Sequence, residues 1–274
     1  VHDVPSIDEL WESAPGAAEA APLSGLPPAA RRYLDRAVPT ETPSAAAVRL
    51  RMSGEIKLGR WLPFRAEQVL RRDRQMRWDA TARMYGLPVR GFDALAAGHG
   101  EMRWKLLGLI PVLTASGPDV TRSAAGRLAA EMLWLPSAFR GDDVEWRTVE
   151  SGSGSGSGAG QPRRDDGEAA EVSRAGVGGV SHVRARFPVA GEEVELDLAV
   201  DPAGRLHGVS LERWGDPDGE GHRYVRFGAV VEGEGTFQGV TIPTRLRAGW
   251  YFGEPRFERE GEFFRCTVES AEFR

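Results

Sequence analysis

Three side chains have the type and setting for proton or charge chemistry. Glu101 and Arg103 alternate with Met102 and Trp104, so a strand over this stretch puts carboxylate and guanidinium on one face. Turned inward, such a pair makes an acid or base with a displaced pKa; turned outward, it is a solvated strand face. Asp216 lies in the loop-forming run Arg213-Trp-Gly-Asp-Pro-Asp218. There it serves either a ligand contact or an Asx-type turn bond. A second group comprises Trp78, Trp104, Met132, Trp134, Trp214 and Trp250, in a chain with eight tryptophans among 274 residues. Any one of these reads first as core packing. Converging on a concave sheet face, the set would wall a chamber for an apolar or ring-containing guest.

Other chemistries find no matching pattern. His2, His99, His182, His207 and His222 are not at metal-ligand spacings, and none lies beside a cysteine. His99 between Gly98 and Gly100 reads as part of a turn. Cys266 is the only cysteine, which rules out an intramolecular disulfide; between Phe264 and Val268 it reads as a small buried hydrophobe. No nucleophile elbow, Walker loop, His-Glu-x-x-His or Rossmann glycine pattern occurs, so neither cofactor nor metal is expected. A formal charge of -5 argues against a generally basic nucleic-acid binder. Residues 1–150 carry 20 basic and 19 acidic side chains, and residues 151–274 carry 15 and 21, so the acidic excess belongs to the second half. Basic charge is almost wholly arginine; Lys57 and Lys105 are the two lysines. The best apolar run, Leu106 to Ala115, is too short to span a membrane and contains Pro111, so no integral membrane segment is expected. No signal-like segment opens the sequence, which sets cytoplasmic residence as the expectation.

The elements that must position these residues follow from periodicity. Ser6 with Glu9 forms a capping box for a short helix bearing Leu10 and Trp11. Pro27 and Pro28 open a second helix, with Ala29, Tyr33 and Val38 on its buried stripe. From Ala46 the period becomes two: Val48, Leu50 and Met52, then Met76, Trp78, Ala80 and Ala82, then Met102 and Trp104 alternate with polar residues. This predicts antiparallel strands with one wet face. Trp61 to Leu70 also suits a strand. Leu106 to Phe139 breaks the rhythm, and Thr121 or Ser123 is expected to cap a helix carrying Leu128, Met132 and Leu135, with Pro136 ending or bending it. Asp119 is assigned to the start of that helix and Arg122 to solvent. A strand is expected at Val144 to Val149. Strands follow at Val183 to Phe187, Val194 to Val200, Leu206 to Trp214, Tyr224 to Val231, Gly235 to Ile242, Thr244 to Phe252 and Glu262 to Phe273, with Asp201-Pro-Ala-Gly204 as a turn. No βαβ rhythm appears, which excludes a doubly wound sheet. The expected organisation is a helix and connector over residues 1–25, then one β domain over 26–274. The Gly/Ser-rich run within 151–167 forms a flexible loop of that domain.

Three stretches carry a resemblance. Arg60-Trp-Leu-Pro-Phe-Arg-Ala-Glu67, the run from Gly100-Glu-Met-Arg-Trp104 through Gly117-Pro-Asp-Val-Thr-Arg-Ser123 to Trp134-Leu-Pro136, and Gly239-Val-Thr-Ile-Pro-Thr-Arg-Leu-Arg-Ala-Gly-Trp250 resemble a bacterial family of domains of unknown function. That family assigns no catalytic residues. The later strands and the Gly-Val-x-Ile-Pro hairpin also resemble the strongly curved antiparallel sheets of lipoprotein carriers, which implies a sheet holding acyl chains against helices. The expected fold is therefore mainly β: a large curved antiparallel sheet or open barrel, covered by the mid-chain and N-terminal helices. The expected function is binding of an apolar small molecule or lipid in the Trp-lined cavity. The alternative is a cofactor-independent enzyme, of cyclase or isomerase type, in which Glu101, Arg103 or Asp216 polarises a hydrophobic metabolite.

Overall fold

The computed structural model describes residues 4–16, 21–149 and 179–274; the Gly/Ser-rich loop expected at 151–167 lies outside them. The first six strands are β1 (Ala47–Leu58), β2 (Arg60–Arg71), β3 (Met76–Met84), β4 (Leu87–Ala96), β5 (His99–Leu106) and β6 (Ile110–Ser116). After the mid-chain helix come β7 (Glu145–Thr148), β8 (Ser181–Val189), β9 (Glu192–Val200), β10 (Leu206–Gly215), β11 (Arg223–Phe237), β12 (Val240–Trp250) and β13 (Glu262–Phe273). All pair antiparallel in one curved, unclosed sheet of order β6-β5-β4-β3-β2-β1-β13-β12-β11-β10-β9-β8-β7. The first and last strands meet at the centre, with Leu50 opposite Ala271 and Ile56 opposite Phe264. Two arms result, one of β1–β6 and one of β7–β13, and the edge strands β6 and β7 are the ends of the arms.

The α-helix between those edges, Pro118–Glu131, packs against β4, β5 and β6 of the first arm and β8, β9 and β10 of the second. It is the third in chain order, after α1 (Ile7–Glu12) and α2 (Pro28–Ala37), and is called α3. Trp78, Leu95, Leu128, Phe139, Leu196 and Leu211 belong to one continuous core between α3 and the inner sheet face. The capping box of α1 forms as read, with Glu9 N–H donating to Ser6 Oγ and Ser6 N–H to Glu9 Oε2. Asp201 holds its turn by accepting from the Ala203 and Arg205 amides.

Several elements depart from the periodicity. β4 and β6 carry no clean alternation; β6 is exposed along almost its whole length, so no buried stripe marks it. α3 starts earlier than its hydroxyl residues suggest, with Gly117 at the N-cap and Pro118 in the first turn. Thr121 Oγ1 bonds instead to the Gly117 carbonyl and accepts from the Gly100 amide. The helix also ends sooner, and Met132 and Leu135 lie in and after a 3-10 turn. The residue before a proline is pushed out of the helical region, and Leu135 accordingly takes φ -127, ψ 67. The three strands expected at Tyr224 to Val231, Gly235 to Ile242 and Thr244 to Phe252 are two, β11 and β12, separated by a turn at Gln238-Gly239, where both residues have positive φ. A bulge near Gly233 absorbs the loss of alternation. The N-terminal helices divide between the faces. α2 joins the main core through Tyr33 and Leu34, whereas Ile7 and Leu10 of α1 cluster separately with Val69. Val69 points away from its neighbour Gln68, which reaches α3, because successive strand side chains alternate faces.

Candidate functional site

Between α3 and the inner sheet face lies a cavity of about 330 Å³. Its apolar wall includes Ile56, Met76, Trp78, Trp134, Phe227 and Phe264, drawn from both arms and from the segment after α3. Trp78 and Phe264 are each packed against Phe64, at ring separations of 5.5 and 5.3 Å. Trp134 is fixed by donating from Nε1 to the Pro243 carbonyl at 2.9 Å.

One side of this chamber is charged. Arg127 on α3 donates to Asp93 of β4 at 2.6 Å and to Glu131, one helical turn on, at 2.8 Å. Asp93 also accepts from Trp104 Nε1 at 2.9 Å, and Glu131 from Gln68 Nε2 at 2.7 Å. Burial alone would depress the Arg127 guanidinium, but Glu131 and Asp93 hold it above the ordinary arginine value. The cluster thus keeps its charges by mutual pairing, without which buried ions are severely penalised. Gly91 makes room for it: a Cβ there would come within 2.5 Å of the Trp104 ring that carries the bond to Asp93.

Arg213 of β10 is handled differently. Its guanidinium donates to the Ser123 carbonyl at 3.2 Å and to Ser123 Oγ at 3.4 Å, and lies over the rings of Phe227 and Trp250 at 4.7 and 5.0 Å. Among the described residues no carboxylate is within ion-pair distance of it. Burial, together with the neighbouring Arg127 charge, pushes it down to about 10. Gly126 of α3 lets this side chain pass between helix and sheet, since a Cβ there would meet Arg213 Cγ at 2.9 Å. A second donor on the same wall, Trp78 Nε1, is buried and has no acceptor among the described residues.

The residues singled out by sequence are dispersed. Trp78 and Trp134 face the cavity. Trp104 stands behind Trp78 at 5.7 Å, and Trp250 packs behind Phe227 at 5.3 Å. Met132 is buried and accepts from Arg74 through its sulfur at 3.5 Å. Trp214 is near the surface, donating to Asp119 at 2.9 Å. Glu101 accepts from Arg103 Nε on the sheet face opposite Trp104, because successive strand side chains alternate faces, and Arg103 is partly exposed there. Asp216 accepts from the Gly221 amide across the β10–β11 loop. Arg122 is not merely solvated: it pairs with Glu192 at 2.9 Å and covers Trp214 at 4.7 Å. Cys266 is buried, and burial pushes its thiol up, which makes it a poor nucleophile.

Sequence reading passed over Asp93, Arg127 and the unpaired state of Arg213. A signal existed for two of them. Arg127 and Glu131 are spaced four apart on a helix whose Leu128 is core, and Arg213 follows core residue Leu211 by two on its strand. Asp93 had none, because its strand shows no regular alternation.

The fold and its chamber define a curved antiparallel sheet roofed by one helix over a cavity of small-molecule size. Residues 16–155 match the family of unknown function DUF6544, just over half of the 274 residues, and the chain belongs to that family. Residues 178–273 match a second family of unknown function, DUF6920. The two matches fall on β1–β7 and β8–β13 of the same sheet. No curated protein matches the sequence. Among solved structures, the chain is similar to an outer membrane lipoprotein-sorting protein domain from Vibrio parahaemolyticus (7% identity, 84% of this chain and 86% of that one, TM-score 0.42). It is also similar to a LolA superfamily protein from Nitrosomonas europaea (8%, 90% and 92%, 0.44) and a DUF1329 family protein from Desulfovibrio piger (12%, 89% and 90%, 0.44).

Proposed function

We propose that the protein binds an amphipathic small molecule or lipid, with its apolar body against Trp78, Trp134, Phe227 and Phe264 and an oxygen-bearing head at Arg213. The observation that carries this reading is the pairing of an apolar chamber with a guanidinium that lacks a carboxylate partner. Ligand sites are typically apolar hollows of roughly 300–1,000 Å³ with a few convergent polar groups, and the cavity volume of about 330 Å³ falls at the lower end of that range. Acceptors on the guest would satisfy Arg213 and the indole N–H of Trp78, both of which line the cavity.

Native mass spectrometry of freshly purified protein tests this reading. A co-purifying amphiphile is expected, its occupancy falling at least tenfold in Arg213→Met. A protein that carries nothing and takes up no acyl probe would remove the proposal.

A further inference from the structure

Apolar surface on this protein is concentrated at one place. Nine large apolar side chains are exposed among the described residues, and eight of them stand on three hairpins of the first arm. They are Leu58 between β1 and β2, Tyr85 and Leu87 between β3 and β4, and Leu107, Leu109, Ile110, Val112 and Leu113 on the β5–β6 hairpin. Leu109 is 80% exposed, Tyr85 79% and Leu58 64%. In an antiparallel meander alternate turns fall at the same end of the sheet, so all three tips share one rim. With strands about 4.8 Å apart, the tips cover roughly 20 Å.

Charge on these tips has one sign. Residues 56–61, 83–90 and 104–113 contain Lys57, Arg60, Arg83, Arg90 and Lys105 and no Asp or Glu. Both lysines of the chain are here. Among the described residues no carboxylate lies within ion-pair distance of any of the five. Arg60 instead lies over the Tyr85 ring at 3.8 Å, linking two tips, and Lys57 donates to the Arg259 carbonyl at 2.9 Å. Trp61, at the base of the first tip, adds an amphipathic ring of the kind found at membrane–water boundaries. At the same rim the second arm is net acidic: Asp216, Asp218 and Glu220 in the β10–β11 loop, and Glu254, Glu258 and Glu260 against Arg256 and Arg259 in the β12–β13 connection.

We propose that the three apolar tips of the first arm dock on an anionic lipid bilayer, inserting Leu58, Tyr85, Leu87, Leu107 and Leu109 among the headgroups while the surrounding Lys and Arg meet lipid phosphates. Charge complementarity selects this occupant. A second copy of the same patch would set five cations against five, whereas an anionic surface attracts the cationic half of the rim and repels the acidic half, which tilts the first arm toward it. Ile56 and Phe264, next to the first tip, also line the cavity, so docking would bring the chamber close to lipid. The proposal does not depend on what the chamber holds.

Vesicle flotation of the full chain tests it, using phosphatidylcholine alone and phosphatidylcholine with phosphatidylglycerol. Binding is expected only with the anionic lipid, weakening as salt is added. Lys105→Gln and Arg60→Gln should each lower partitioning about fivefold, and Leu109→Ser with Ile110→Ser more than tenfold. Tyr224→Ser on the second arm should leave it unchanged. Near-ultraviolet circular dichroism keeps misfolded variants out of the comparison. The proposal is overturned by absence of binding to anionic vesicles, or by equal binding of all variants. It is also overturned if sedimentation shows a dimer that the tip substitutions dissolve while vesicles remain unbound.

Discussion

The two arms of the sheet follow one plan inside and opposite plans at the rim. Inside, each contributes alternate apolar side chains to the core beneath α3: Phe64, Trp78 and Leu95 from the first, Phe187, Leu196 and Leu211 from the second. At the rim, the first arm ends in exposed Leu, Ile, Val and Tyr among cations without carboxylate partners, and the second in Gly, Pro, Asp and Glu with a minority of Arg. Packing dictates the inner face, because an unfilled gap there costs contacts on every side. Turn tips are free of that demand, so their composition is not fixed by packing.

Shared dependence on the inner core gives the largest expected effects. Trp78→Ala in the first arm and Phe187→Ala in the second remove fully buried rings, and each should cost about 3–5 kcal/mol in urea unfolding. A loss confined to one arm would break the equivalence of the two interiors. A smaller effect separates the arms by pH. On the outer face of the second arm, Asp197 is raised by burial but more strongly lowered by bonds from Arg184 and Arg226, so it ends below the ordinary value of 3.8. A depressed carboxylate contributes stability that is complete above its unfolded pKa and lost as pH falls through the folded one. Asp197→Asn should therefore cost about 1 kcal/mol near neutrality, and the gap from the parent should close below pH 3.8 in acid titrations of unfolding. The smallest effect belongs to the tips. Leu109→Ser should change unfolding free energy by no more than about 0.5 kcal/mol, and a larger destabilisation would mean that the β5–β6 hairpin is structural.

Much of the architecture was legible because its causes are local. Alternation at Val48–Met52 and Val194–Val200, the Ser6–Glu9 box and the Asp201 turn are each decided within a few residues. The edge strand β6 was not legible, since an exposed strand has no buried stripe to betray it. A Trp-walled chamber was expected, yet of the six named side chains only Trp78 and Trp134 line it, and Trp104 serves the wall indirectly through Asp93. The pairing of Asp93 with Arg127 joins positions 34 residues apart through the crossing of α3 over the sheet, which no local pattern encodes.

By itself the sequence determined a mainly antiparallel sheet with one crossing helix, the absence of known cofactor motifs, and the choice of Leu, Tyr and Lys for particular turns. Tertiary structure decided which of those turns share a rim, because that depends on the parity of strands in the meander. It also decided which arginine goes without a carboxylate. Arg127 and Arg213 are alike in type and both partly buried, and only the path of α3 sets Asp93 and Glu131 against one and Ser123 against the other.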